Sequence, residues 1–530
     1  MANWNDRRPL KLHELITELE DMDDILSQGA TITIFPPENA NGEVTDEDSG
    51  DEDNIVIDNL PGSQLRVSAE ISFDGAPPAE SLNEDENEDS FDEEDNLPLS
   101  HFVPLKKLQK FNWIADRDIP ESTFAWNAPH KVENHQSPIE ILKLFFDDSL
   151  ISKVCQFSNI YVAQNNRPAD ISESEIWCFL GVLILSGYSE LPRKYMYWEN
   201  SSDTKNELVR NAISRDRFRY VMQNIHLCDN NNLNANDKFA KVRPFIKTLN
   251  EKFMEFAPTE EVHSLDESMV PYYGRHGTKQ FIRGKPIRWG YKFWTATTRL
   301  GYIEWFDPYQ RSSCVIPEKY KLLGLGSSVV LQFADELQKI YPNLAFHIYF
   351  DNFFTSLSLL HQQNTIRENR IPESKLGPSK DHKTKNRGSY EYMYDANNHI
   401  VVCRWNDNSL VTLASNSTTV NPILQAKRYS QKEKKRIMVD QPYIVKKYNE
   451  NMGGVDRADQ NISLYRVSIR GKKWYFPIFC HFLDMVVQNS WQLNRNSGDK
   501  MDQLAFRRAI AQSILETHKK PSAYQTGKTS

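Results

Sequence analysis

The stretch "GSSVVLQFADELQKIYPNLAFHIYFDNFFTS", residues 326–356, decides the fold class because it joins a helix to a strand. Its first half has apolar residues at helical spacing and is stopped by Pro342. Its second half is a short apolar run, typical of a buried strand, that ends at Asp351. Residues 260–309 predict three strands before it, the last two joined by a hairpin at residues 299–301. A helix that leads back to a neighbouring strand predicts an α/β fold.

The regions on either side of these strands have different patterns. Ser137 and Ser172 each stand three residues before a glutamate, which is the capping-box spacing of a helix start. The run after Ser172 is apolar enough to predict a buried helix. Residues 390–416 contain three β-rich pieces separated by Asn, Asp and Gly, which predicts a small antiparallel insertion. Residues 440–468 return to a helical pattern, with Asp440 as the expected cap.

Charge divides the chain into two parts. Residues 1–100 hold 28 acidic and 4 basic side chains, a net charge of −24, whereas the remaining 430 residues hold 44 acidic and 59 basic side chains, a net of +15. The acidic runs at 45–54 and 83–95 repel themselves, so we expect residues 36–100 to be disordered. A basic folded part fits a polyanionic partner.

Cysteine usage and hydropathy exclude other classes of protein. The six cysteines have no C-x-x-C spacing, so we expect reduced core thiols and no zinc module. Apolar runs stay shorter than the roughly 18 to 20 residues that span a bilayer, and the N-terminus has no hydrophobic signal segment. We therefore expect a soluble intracellular protein without a membrane partner.

Four aspartates stand where a carboxylate needs an explanation. Asp266 lies within a strand, where it is costly unless it is paired or binds a cation, and Asp351 ends the next predicted strand. Asp456 and Asp459 are three apart on a predicted helix and so lie on nearly the same face. Glycines 453–454 indicate a helix break or a close backbone approach just before them. The simpler alternatives are a surface cap for Asp351, a helix N-terminal acid for Asp456 and a salt bridge for Asp459.

Converging carboxylates are the ligands of hard divalent cations. Two such ions can activate the attacking oxygen and neutralise the leaving oxygen in phosphoryl transfer at a nucleic-acid backbone. Aspartates on a central strand, at the end of a second strand and on a later helix match a ribonuclease-H-like (RNase-H-like) topology.

Three segments carry a family resemblance: "SLDESMVPYYGRHGTKQFIRGKPIRWGYKFW" (264–294), "YFDNFFTSLSLL" (349–360) and "NMGGVDRADQNISLYRVSIRGKKWYF" (451–476). They resemble the transposase domain of the piggyBac family, including the piggyBac transposable element-derived proteins, from about residue 137 to 515. The resemblance implies a DDE transposase with Asp266, Asp351 and Asp456 as catalytic metal ligands and Asp459 as an additional ligand. It also implies two divalent cations, Mg²⁺ or Mn²⁺, and cleavage and joining of double-stranded DNA, namely transposon ends and TTAA targets, by a nuclear protein that we expect to be a homodimer. Family members commonly end in a cysteine-rich zinc module, which this sequence lacks, so we expect terminal repeats to be read differently.

These observations together predict a domain organisation. It comprises a mostly disordered acidic tail (1–100), a helical DNA-binding and dimerisation region (101–257), the first part of an RNase-H-like core (258–370), an insertion domain (371–430), the second part of the core with C-terminal helices (431–515) and a loose tail (516–530).

Two basic segments, residues 275–292 and 466–476, mix cations with aromatic residues, as DNA contacts require. Trp289 and Trp474 lie within them, and the alternative is that these rings are core and the cations a solvated rim. The candidate DNA-binding residues are Arg275, Lys279, Arg283, Lys285, Arg288, Lys292, Arg470, Lys472 and Lys473.

Two other functions compete with a transposase. A domesticated, transposase-derived DNA-binding protein would keep the fold and bind DNA without transposition. A structure-specific nuclease would cut DNA without joining it.

Overall fold

A computed structural model describes residues 30–34, 69–73, 111–120, 126–127, 136–282, 285–355, 359, 376–377, 379–430 and 433–519. The chain forms two compact units. The smaller comprises residues 1–97, 269–292 and 471–478, and the larger comprises 98–268, 293–470 and 479–530. Most of the acidic tail and residues 520–530 of the loose tail lie outside the described residues.

Two paired strands are described within the acidic tail. β1 (Ala30–Ile34) and β2 (Ala69–Phe73) are antiparallel, with Ile32 opposite Ile71. β2 falls inside the segment expected to be disordered, so that expectation is corrected at these residues. The reason is local, because both strands alternate apolar or β-branched residues with polar ones.

The region before the main sheet is mostly helical, and both capping boxes are present. The Ser137 backbone N–H donates to Glu140 at 2.7 Å, and that of Ser172 donates to Glu175 at 3.1 Å. The helix after Ser172 is buried along most of its length, as predicted. The elements are β3 (Trp113–Ala115), α1 (Pro138–Phe145), α2 (Asp148–Gln164), α3 (Glu173–Ser186), α4 (Glu207–Ala212), α5 (Arg215–Asn224) and α6 (Arg243–Phe256).

The main sheet follows these helices. Its elements are β4 (Val262–Pro271), β5 (Gln280–Phe281), β6 (Trp289–Thr298), β7 (Ile303–Pro308) and β8 (His347–Phe350), with helix α7 (Leu325–Ile340) before β8. In the larger unit the order is β7-β6-β4-β8. In the smaller unit β5 pairs with the first residues of β6. The β6–β7 hairpin turns at Gly301, whose φ of 92° favours glycine.

β4 and β8 run parallel, and α7 lies between β7 and β8 in the chain. Apolar residues of α7, including Val330 and Phe333, pack with Leu265 of β4 and Phe350 of β8 in one core. The predicted α/β arrangement of three strands, a helix and a returning strand is therefore confirmed. The sequence also predicts a helix after Thr355, but apart from Leu359 residues 356–375 lie outside the described residues.

The insertion begins with the short helix α8 (Ser379–Lys383) and continues with an antiparallel sheet. The strands are β9 (Tyr390–Asp395), β10 (Ile400–Asn406) and β11 (Leu410–Ser415), and the order in the sheet is β11-β10-β9-β3. The three predicted strands are confirmed, but β3 is an addition from the region assigned to the helical domain. The Asn112 backbone N–H donates to Asp395 at 2.8 Å beside this pairing, so residues near 113 belong structurally to the insertion sheet.

A hairpin and four helices follow in the described residues up to 519. They are β12 (Leu424–Ser430), β13 (Lys435–Gln441), α9 (Tyr443–Asn451), α10 (Gly454–Leu464), α11 (Phe476–Asn496) and α12 (Gln503–Thr517). Asp440 is a strand residue rather than the helix cap expected from sequence, because β13 continues to Gln441 and α9 begins after Pro442. No described helix is long and apolar enough to cross a membrane. Five of the six cysteines are buried, which fits core thiols.

Candidate active site

Parallel pairing brings the first two predicted aspartates to neighbouring strands. Leu265 of β4 lies opposite Phe350 of β8, so Asp266 and Asp351 are the next residues in register. Adjacent strands are about 4.8 Å apart. Both aspartates are half-buried, and the sheet therefore places two carboxyl groups side by side.

The local contacts of Asp351 do not support the surface-cap alternative. Asp351 stands at the N-terminus of the 3₁₀ turn Asn352–Phe354, but its side chain makes no capping hydrogen bond to that turn. On β4, Asp266 Oδ1 accepts from the Glu267 backbone N–H at 2.8 Å, which engages one of its two carboxylate oxygens.

A close helix approach brings the third aspartate to the same strands. A Cβ at Gly454 would collide with Ser264 Oγ, Thr297 Oγ1 and the Thr298 carbonyl. Nothing lies within 4 Å of a Cβ built at Gly453. Glycine at 454 therefore lets α10 begin against β4 and β6, as predicted, and the break between α9 and α10 falls at residues 452–453.

Asp456 lies in the first turn of α10 and is exposed. A helix N-terminus stabilises a carboxylate by its partial positive charge, so the helix-start interpretation also holds for this residue. Asp459 lies one turn farther along α10 and is half-buried. Its role as a metal ligand stays a prediction.

Three of the candidate aspartates act electrostatically on one residue, Tyr448 of α9. Burial raises the pKa of its hydroxyl, and the negative charges of Asp351, Asp266 and Asp456 raise it further. Only nearby charges act in this way. The Tyr448 hydroxyl therefore stays protonated at neutral pH.

Asn451, at the end of α9, lies near the strand that precedes Asp351. Burial raises the pKa of the Tyr349 hydroxyl on β8, and the neighbouring Asn451 and Thr418 side chains lower it. Sequence analysis missed both Asn451 and Tyr448. The available signal was their spacing, since they lie three residues apart on the helix that precedes the glycine pair.

The candidate ligands are all carboxylates, which are the donors that hard cations prefer. Within the described ranges, no group of three or more His, Cys, Asp or Glu side chains is gathered closely enough to hold a metal ion. Carboxylates as the candidate donors fit Mg²⁺ or Mn²⁺ by their chemistry, while the number of ions and their ligands stay predictions.

Burial separates the candidate DNA-binding residues. Lys279 and Lys292 are each only 5% exposed, and the Lys279 ammonium lies 4.9 Å from the ring centre of Trp289, which is itself 3% exposed. The core interpretation of Trp289 is therefore the one that the structure supports. Such burial does not favour direct phosphate contacts by these two lysines.

The remaining candidate cations are more accessible. Trp474, in the smaller unit, is half-buried and stacks on His276 with a ring separation of 4.2 Å. Arg470 and Lys472 are exposed, and Arg283 lies outside the described residues. The other candidates are half-buried, namely Arg275, Lys285, Arg288 and Lys473.

Comparisons with known proteins agree on one family. The family described as Transposase IS4 matches residues 137–491. The chain is 44% identical to human PiggyBac transposable element-derived protein 3 over 535 residues, which cover 97% of this chain and 89% of that protein. It is 40% identical to human PiggyBac transposable element-derived protein 2 over 529 residues, which cover 96% of this chain and 86% of that protein.

A solved structure supports the fold. The cryo-EM structure of a piggyBac transposase synaptic complex with hairpin DNA matches with a TM-score of 0.59, over 73% of this chain and 81% of that chain, at 20% identity. The motifs around the three aspartates, the matched family and the related sequences lead to the same conclusion. The chain belongs to the piggyBac family of transposases and transposable element-derived proteins.

Proposed function

We propose that the protein is a DNA transposase with an RNase-H-like core, which cleaves DNA and transfers strands at TTAA sites in a metal-dependent reaction. The observation that carries the proposal is the placement of Asp266, Asp351 and Asp456 by one sheet. Two of these carboxylates follow neighbouring parallel strands, and the third starts a helix packed on the same sheet.

The aspartates set the requirements of the reaction. Three carboxylates repel a phosphodiester, so substrate binding depends on the divalent cations that Asp266, Asp351, Asp456 and Asp459 would hold. Such cations activate an attacking oxygen and neutralise the leaving oxygen at phosphorus. Tyr448 supplies a neutral donor to a non-bridging phosphate oxygen or to an attacking water.

The proposed partners follow from the substrate. Double-stranded DNA fits the basic balance of residues 101–530, and the structural relative was solved with hairpin DNA. We propose that the protein acts in the nucleus as a homodimer, because two transposon ends must be joined at one target.

The second candidate is a domesticated DNA-binding protein without transposition. The names of the related human proteins, which are transposable element-derived, favour it. Both candidates predict DNA binding, and they differ in catalysis.

The test is cleavage of a labelled duplex that carries candidate transposon ends flanked by TTAA, with Mg²⁺ or Mn²⁺ and with EDTA. We expect metal-dependent nicking by the wild type and a loss of at least about 100-fold in Asp351→Asn. Asp203→Asn, an exposed aspartate elsewhere in the larger unit, is the matched control and should cut normally. If the wild type binds DNA without cutting, the domesticated alternative replaces the enzyme; cutting without joining indicates a nuclease.

A further inference from the structure

The β12–β13 hairpin presents one fully exposed face. Side chains alternate between the two faces of a strand, and the register pairs Lys427 with Met438 and Tyr429 with Arg436. These four side chains are all exposed, including 57% of Tyr429 and 59% of Met438. The face is therefore a square in which cations and large apolar groups alternate.

Among the described residues, no acidic side chain pairs with the cations of this face, Lys427 and Arg436. Their neighbour Lys435 pairs with Glu433 at 2.8 Å. At the other end of the ribbon, Asp440 accepts a hydrogen bond from Gln425, so it does not reach either cation as a pair.

The opposite face anchors the ribbon. Val439 belongs to the core of the insertion sheet, and Ile437 packs against it. Arg428 and Arg387 both donate to Asp407, at 2.9 and 2.5 Å. A hairpin held on one face by a core and a paired arginine cluster keeps its other face fixed toward solvent.

We propose that this exposed face, Lys427, Tyr429, Arg436 and Met438, is a DNA-binding ribbon that contacts the backbone and groove of duplex DNA. A two-stranded ribbon fits the major groove of B-DNA, and unpaired cations are attracted to phosphates. An exposed tyrosine between them can pack on sugar or base edges. The proposal rests on the DNA partner of the proposed function, and adds a surface that lies outside the aspartate site and both basic segments identified from sequence.

The test measures binding of the full-length protein to a fluorescein-labelled 30-base-pair duplex by anisotropy, between about 50 and 300 mM salt. Lys427→Ala/Arg436→Ala should weaken binding roughly tenfold or more, and the slope of log K against log salt should become shallower by about 1.8. Tyr429→Ala should weaken binding while leaving that slope unchanged. Lys321→Ala/Lys339→Ala removes the same charge from two exposed lysines that are paired with Glu318 and Glu336, and serves as the control.

The outcomes separate the two proposals. If the wild type binds DNA and the ribbon double variant matches the control in affinity and slope, the ribbon proposal is wrong and the proposed function stands. If the wild type does not bind duplex DNA, both are wrong. Circular dichroism of each variant checks the fold, which we expect to be retained because the replaced side chains are exposed.

Discussion

Tyr448 packs against the core of the insertion sheet and is also affected by the charges of three aspartates. The ring of Tyr448 packs against the core that includes Val439 and Ile444, while its hydroxyl lies in the field of the three carboxylates. Packing fixes the ring and with it the position of the hydroxyl. A donor held in this way costs no reorganisation when charge develops at a phosphate.

Tyr448→Phe tests this donor, because it keeps the ring and removes the hydroxyl. We expect DNA cleavage to slow about 10- to 100-fold, with unchanged DNA affinity and thermal midpoint. Because burial, and after it the charges of the carboxylates, raise the pKa of Tyr448, the wild type should show no loss of rate from this group between pH 7 and 10. Tyr320→Phe, which removes a hydroxyl bonded to Asp335 at 2.8 Å, is the control. A wild-type rate in Tyr448→Phe would assign the residue to packing alone.

The sequence singles out the aspartates as candidates but not the residues around them. Asp266 and Asp351 stand out because a carboxylate in or at the end of a buried strand needs a reason. Tyr448 does not, because a tyrosine on an amphipathic helix is typical of a core. In the sequence, Lys279 and Lys292 have the same basic and aromatic neighbours as the exposed cations, and only the tertiary packing shows that they are buried.

The start of α10 depends on one glycine of a pair. A Cβ at Gly454 would collide with β4 and β6, whereas a Cβ at Gly453 would meet nothing within 4 Å. Gly454→Ala should destabilise the protein by about 1 to 3 kcal/mol through overpacking, in spite of the higher helix propensity of alanine. Gly453→Ala should change the free energy of unfolding by less than about 0.5 kcal/mol. Urea denaturation of both variants measures the difference, and equal stabilities would contradict the role given to the close approach.

Local patterns predicted elements better than they predicted partners. The helix break, the capping boxes and the main strands follow from residue types a few positions apart. β3 does not, because a three-residue strand has no pattern of its own and is defined by pairing with β9. The assignment of Asp440 as a helix cap failed for a related reason, since strand pairing of Asp440 with Gln425 overrides its local preference.

The opposed charges of the chain predict self-shielding. Replacing the acidic residues of 45–54 and 83–95 by Asn and Gln leaves β1 and β2 intact and removes much of the negative charge. We expect non-specific DNA binding to tighten at about 50 mM salt and the difference to shrink above about 300 mM, because salt screens exposed charges. The control is a variant in which the wild-type residues of 45–54 and 83–95 are kept in shuffled order, and it should bind as the wild type does. Equal affinity of the neutralised protein at low salt would argue against shielding.

The pairing of β3 has a consequence for synthesis of the chain. Asn112 and Asp395 are 283 residues apart, so the edge of the insertion sheet is completed by a strand that leaves the ribosome long before its neighbour. At roughly 5 to 20 residues per second, β3 waits for roughly 15 to 60 s. During that time β3 has no partner and the later strands have not been made. The insertion sheet must therefore close after the helical region has emerged, which makes its assembly a late step of folding.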